Sequence, residues 1–147
     1  DDSKLTMPEI FSYPASPHLA TQIDGREIDF KKIENATQQL TENYSCVLLE
    51  GAGGLMVPLT TELLTIDYVA EKKFPVILVS SGRLGSINHT LLSLEALKQR
   101  GLDLYALAYN LNDESQDAII SKDTAEFLKN YLIKHFPKAK WIDIPVI

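Results

Sequence analysis

The strongest constraint on this chain is an alternation between apolar runs and amphipathic stretches. Val47–Leu49, FPVILVSS at 74–81, LDLYALAYN at 102–110 and the start of WIDIPVI at 141–147 concentrate branched and aromatic residues. Within the first three runs apolar and polar residues do not alternate, which is how strands covered on both faces of a parallel sheet read. Between the runs, LLTIDYVAEKK (63–73), INHTLLSLEALKQRG (87–101) and DTAEFLKNYLIKHF (123–136) space apolar residues three and four apart, as a helix with one buried side does. Strand and helix take turns at lengths suited to right-handed crossovers, so the expected fold is α/β, a parallel sheet with flanking helices. A helix is also expected from Asp29, with Phe30, Ile33, Ala36 and Leu40 on one stripe. Gly101 suits a helix end, and Pro137 closes the last helix. Residues 1–17 read as irregular, with Pro8, Pro14 and Pro17 breaking any helix before PHLATQ.

With no linker, repeat or low-complexity tract, the 147 residues read as one domain, 1–147. A net charge of −6 disfavours nucleic acid or an anionic membrane surface as partner. No apolar stretch is long enough to span a bilayer, and DDSKLTMPEI does not form a signal peptide. The single cysteine, Cys46, excludes an internal disulfide and reads as a buried thiol inside its apolar run. These features together suggest a cytoplasmic protein.

In open parallel sheets, ligands collect beyond the carboxyl ends of the strands. Those ends are Glu50 with GAGG, Ser80 and Ser81 with GRLGSINH, Asn110 with LND, and Pro145. Glu50 reads either as a carboxylate for Mg²⁺, which commonly takes one or two carboxylates plus substrate phosphates, or as an acid capping a loop amide. Gly51, Gly53 and Gly54 suit a backbone that approaches an anion, and equally an ordinary tight turn. There is no G-x-x-x-x-G-K-[ST] in the sequence, so the loop is not a Walker A element. At 82–89, GRLGSINH precedes a helix whose first turn would offer N–H groups of Ser86, Ile87 and Asn88 to a carboxylate or phosphate. Ser86 could instead be a plain N-cap. The Asn110 amide suits the edge of a purine, or a turn. His89 has no acid or cysteine beside it in sequence and reads as structural, whereas His18 reads as a loop-orienting group.

Taken together, SPHLA at 16–20, LLEGAGGLMVPL at 48–59, PVILVSSGRLGSINHTLLSLEAL at 75–97 and Asn110 after its strand resemble the dethiobiotin synthetases. EGAGG-x-x-x-PL followed by LG-x-INH carries the resemblance, because the combination is far rarer than any single glycine-rich loop. It implies a P-loop NTPase-like fold working as a homodimer in biotin synthesis. It also implies the cyclo-ligase reaction of 7,8-diaminononanoate (7,8-diaminopelargonate), CO₂ or bicarbonate, and ATP with Mg²⁺, giving dethiobiotin, ADP and phosphate. By the same resemblance Glu50 is a magnesium ligand, and the amides around Gly51, Gly53 and Gly54 lie beside the carbamate and phosphate. The resemblance further implies that Gly85, Ser86, Ile87 and Asn88 hold the substrate carboxylate in the neighbouring subunit's active site, and that Asn110 recognises adenine with backbone near Pro145, Val146 and Ile147 closing over the base.

Relatives of this kind begin with a strand, a Walker A loop and a lysine-bearing segment, none of which is in these 147 residues. The expectation is therefore an incomplete P-loop domain, the carboxyl-terminal portion of a longer chain and inactive in isolation. Phosphoryl transfer depends on positioning and charge neutralisation, which that loop and lysine supply. One alternative is a degenerate paralogue that dimerises or binds ligand without turnover. Another is a cobyrinate-type synthetase or MinD-like ATPase, against which INH after LG argues.

Overall fold

The computed structural model describes residues 3–112 and 117–146. Contacts divide the chain into two compact units, Asp1–Tyr68 and Val69–Ile147, each taken by itself below.

The first unit contains α1 (Ser3–Thr6), α2 (Pro17–Asp24) and α3 (Phe30–Asn43), and α4 (Thr65–Lys72) begins in it. Proline at the first position of α2 lacks only an N–H that no helical carbonyl would have used. Gly25 closes α2 in the left-handed region, at φ 62°. The Asp29 carboxylate caps α3 by accepting the Lys32 amide at 3.0 Å, and Phe30 stacks on Tyr68 with ring centroids 5.4 Å apart. α1 is a single turn within the stretch expected to be irregular.

Polar bonds hold residues 9–12 to the end of α2. Arg26 donates to Glu9 Oε2 at 2.6 Å and to the Ile10 carbonyl at 2.5 Å, and its guanidinium lies 3.9 Å from the centre of the Phe11 ring. The Asp24 carboxylate accepts the Ser12 amide at 3.0 Å and the Ser12 hydroxyl. The Ser12 hydroxyl, then the Ser12 amide, hold the Asp24 carboxyl below its ordinary value. A carboxylate whose folded pKa is depressed contributes stability above its unfolded pKa and loses it as pH falls through the folded one. Asp24→Asn is therefore expected to speed hydrogen exchange at Ser12 near neutral pH. The gap between variant and parent should close as pH falls through and below the ordinary aspartate range; a gap that persists there would contradict the assignment.

Two expectations fail in this unit. Residues 46–50 form no strand, and Leu48 and Leu49 are 76% and 47% exposed. Cys46 is exposed rather than buried. Composition supplies apolar side chains, but a strand exists only where a neighbour completes its hydrogen-bond ladder. Among the described residues nothing pairs with 46–50.

In the second unit β1 (Val76–Ser81), β2 (Leu104–Asn110) and β3 (Lys140–Ile144) form a three-stranded parallel sheet in the order β1-β2-β3. α5 (Ser86–Gln99) connects β1 to β2, and α6 (Ala118–His135) precedes β3. β2 is central and buried over Ala106–Tyr109, as its unbroken apolar run predicts. Leu94 and Leu97 of α5, Leu107 of β2, and Leu128 of α6 are fully buried. Each such side chain contributes about 1.5–3 kcal/mol by leaving water. β1 departs from expectation: Ile77 and Val79 are 39% and 62% exposed, because one of its faces has no cover within the unit.

α5 ends where Gly101 predicts. With φ 63° there, the Gly101 amide bonds to Lys98 O and the Leu102 amide to Leu97 O, both at 3.0 Å, the two bonds of a Schellman motif. α6 begins five residues before the expected Asp123, because the Asp117 carboxylate caps it by accepting the Ile119 and Ile120 amides at 2.9 and 3.2 Å. The register of β1 on β2 shifts between Val76 and Ile77, which pair with Leu104 and Ala106.

Candidate functional site

In the first unit, Glu50 is exposed and leads into the glycine turn. Gly53 has φ 87°, and a Cβ placed there would meet Val57 Cγ2 at 2.8 Å. Only glycine fits that position without displacing its neighbour. A Cβ at Gly51 would lie 3.3 Å from Thr65 Cγ2, whereas one at Gly54 would meet nothing within 4 Å. The Val57 amide bonds to Gly54 O at 3.1 Å, and the Val57 carbonyl accepts both the Thr65 amide and hydroxyl at 2.9 and 3.1 Å. Pro58 and Leu64 then form an antiparallel bridge. The tight turn is therefore braced onto the start of α4.

His18 ties the SPHLA helix to this loop, its amide donating to Pro58 O at 3.4 Å, while its buried Nδ1 has no hydrogen-bond partner among the described residues. The orienting contact thus comes from its backbone. Among the described residues no group of three or more His, Cys, Asp or Glu could hold a metal. A lone exposed carboxylate fits a hard cation whose remaining ligands are water and substrate oxygens.

In the second unit, the strand ends are in line. Ser81 of β1 pairs with Asn110 of β2, and Asn110 pairs with Ile144 of β3. Pro145 and Val146 follow directly, and Ile147 lies outside the described residues. The rim opens into a cleft of about 260 Å³ lined by Ser80, Ser81, Ser86, His89, Thr90 and Asn110, among others. Asn110 Oδ1 accepts the Asn112 amide at 3.0 Å, and among the described residues its Nδ2 has no recorded partner.

The start of α5 forms much as its sequence suggests, with one correction. Gly85, at φ 93°, is the N-cap and offers no side chain, so Ser86 is the first helical residue and not the cap. The Ser86 amide donates to Arg83 O at 3.0 Å and is thereby committed. Among the described residues the Ile87 and Asn88 amides have no recorded partner, so they are the first-turn donors that could meet an anion, in a helix terminus whose dipole favours one. The Ser86 hydroxyl meets that of Ser81 at 3.1 Å, and the buried Ser80 and Thr90 hydroxyls meet at 2.6 Å. His89, read as structural, is exposed and lines the cleft. Thr90 and Ser93 were not singled out from sequence, although their four- and seven-residue spacing from Ser86 puts all three on one helical face.

A family model described as an AAA domain matches residues 1–142. The chain is 51% identical over 137 residues to the ATP-dependent dethiobiotin synthetase BioD 2 of Pasteurella multocida, covering 93% of this chain and 64% of the relative. It is 50% identical over 140 residues to the ATP-dependent dethiobiotin synthetase BioD of Chlorobaculum tepidum, covering 95% and 58%. With the BioD 2 of Haemophilus ducreyi it shares 43% identity over 145 residues, covering 97% and 67%. The chain belongs to the dethiobiotin synthetase family. Its parallel sheet with flanking helices is the P-loop NTPase-like architecture of that family. The chain spans 64% and 58% of the lengths of the first two relatives. No helix among the described residues is long and apolar enough to cross a membrane.

Proposed function

We propose that these residues belong to an ATP-dependent dethiobiotin synthetase, a cytoplasmic homodimer that closes the ureido ring of dethiobiotin. Residues 1–147 would form part of one P-loop-type domain. Family membership supports the reaction class. The observation that carries the residue assignments is the single row Ser81, Asn110 and Ile144, with the open amides of Ile87 and Asn88 on the helix that follows β1.

In this reading 7,8-diaminononanoate binds through its carboxylate to the α5 start, Gly85–Asn88, with the Ile87 and Asn88 amides donating. This site serves the neighbouring subunit. Leu84 and Leu92, 85% and 62% exposed, give that region an apolar rim suited to a second copy. One amine adds to CO₂ and loses a proton, giving a carbamate. A carbamate oxygen takes the γ-phosphoryl group as ADP leaves. The second amine attacks the carbonyl carbon and gives up a proton, the C–O bond to phosphate breaks, and phosphate departs as the ring closes. The glycine turn at Gly51, Gly53 and Gly54 offers backbone N–H groups to the carbamate and phosphate, where fixed donors stabilise developing charge most effectively. Asn110 reads adenine through Nδ2 and Oδ1, and backbone at Pro145–Ile147 covers the base. Magnesium, when bound, neutralises phosphoryl oxygens, and Glu50 supplies one carboxylate to it.

The test is ring closure with MgATP and bicarbonate by a full-length synthetase carrying this sequence. Turnover is expected; ligand binding without turnover would identify a degenerate paralogue instead. In the same assay Asn110→Ala should raise KM for ATP about tenfold, the loss of one or two neutral hydrogen bonds, with KM for the diamine unchanged. An unchanged KM for ATP would remove Asn110 from the nucleotide site.

A further inference from the structure

The β1–α5 connection, residues 82–85, turns through a glycine at φ 93° and has no side-chain cap at the helix start. Inside the joint the Ser86 amide donates to Arg83 O at 3.0 Å and the Arg83 amide to Ser81 Oγ at 3.4 Å, which ties the turn to itself and to the end of β1 but not to the second turn of α5. Two hydroxyl pairs bracket it, one inside the other. The inner pair, Ser81 with Ser86 at 3.1 Å, is part-buried. The outer pair, Ser80 with Thr90 at 2.6 Å, is buried, with the residues 7% and 5% exposed. Apolar residues of the same shape would fill that space about as well, since exchanging both partners of a buried hydrogen bond is often close to neutral for stability. What an apolar pair lacks is direction. A short bond between the strand end and the second turn of the helix fixes rotation and depth together.

We propose that Ser80 and Thr90 are positioning residues for substrate recognition: their hydroxyl pair sets the orientation of the first turn of α5 and so aims the Ile87 and Asn88 amides at the substrate carboxylate. The proposal rests on the reading of that helix start as the carboxylate site. Neither side chain needs to touch the substrate. Each acts through the helix backbone, and its effect is confined to the part of the diamine that the amides meet.

The experiment compares 7,8-diaminononanoate with its methyl ester in a full-length synthetase carrying this sequence. Both are assayed for ring closure under saturating MgATP and bicarbonate. The parent enzyme should prefer the acid in KM, because only the ionised carboxylate rewards charge-assisted donors. Thr90→Val, close to threonine in shape, should raise KM for the acid about five- to tenfold. KM for the ester and kcat should stay within about twofold, as for lost ground-state binding. Thr90→Ser restores a hydroxyl at the same backbone position and should recover the acid preference. Ser80→Ala, which removes the other partner, should reproduce the loss and decides the matter if the valine variant does not fold.

The outcomes separate two failures. A parent enzyme that treats acid and ester alike refutes the carboxylate site, and the proposal falls with it. A parent enzyme that discriminates while Thr90→Val and Ser80→Ala keep its full acid preference refutes only the positioning role. An equal rise in KM for acid and ester, unrescued by serine, also overturns it, since that pattern is general damage to the fold.

Discussion

Glu50→Gln in a full-length synthetase carrying this sequence is expected to lower MgATP-dependent ring closure by about 10²-fold or more. Glutamine keeps the size and one acceptor oxygen of the side chain but removes its charge, and charge is what a hard dication takes from a carboxylate. The residue is exposed at the mouth of the glycine turn, with no cluster of acids among the described residues to share the role. Diamine affinity measured by calorimetry without nucleotide should change by less than about twofold, because the carboxylate end of the substrate is assigned to other residues. The magnesium concentration needed for half-maximal rate should rise. Unchanged turnover would return Glu50 to the role of a loop cap.

The glycine turn offers an internally controlled prediction about stability. At Gly53 an alanine must adopt φ 87°, and its Cβ would approach Val57 Cγ2 to 2.8 Å. The left-handed backbone alone costs an L-residue about 1–2 kcal/mol. Val57 cannot readily retreat, since its amide and carbonyl are bonded to Gly54 and Thr65. Overpacking of this kind adds about 1–3 kcal/mol, so Gly53→Ala should lose about 2–5 kcal/mol in urea unfolding. Gly54→Ala, where a Cβ meets nothing within 4 Å, should stay within about 0.5 kcal/mol of the parent. Equal losses at the two positions would show that the turn is not braced as described.

The contrast between β2 and the segment at 46–50 shows what the sequence could and could not convey. Both are runs of apolar residues before a polar end. β2 is a central strand because β1 and β3 supply ladders on its two sides, and its burial follows. The earlier run is at least as apolar but has no described strand neighbour, and Leu48 stands 76% exposed. Hydrophobic patterning reports a capacity for burial, whereas pairing is a property of the rest of the fold. Helices were more legible because their signals are local: Asp29, Pro17 and Gly101 each act within a few residues of the end they define. The start of α6 lies five residues before the expected Asp123, because the Asp117 carboxylate caps two amides there.

The site divides in the same way. Ser86, Ile87, Asn88 and Asn110 were visible as strand-end and helix-start residues, and Ser86 and Asn110 do line one cleft. That the Ser86 amide is already committed to Arg83 O depends on the three-dimensional course of 83–86, which no local pattern encodes. The Ser80–Thr90 bond joins positions ten residues apart on different elements. Serine and threonine in such places read as ordinary polar residues until the strand and helix are laid side by side.

The slip in register between Val76 and Ile77 passes over Tyr105, moving every later β1 residue one step along β2. Without it Ser81 would stand opposite Tyr109, and with it Ser81 stands opposite Asn110. The amino-terminal end of the sheet thus acts as a phase setting for the row of strand ends five residues away. Insertions or deletions there would shift which residues of that row face one another while leaving every one of them unchanged.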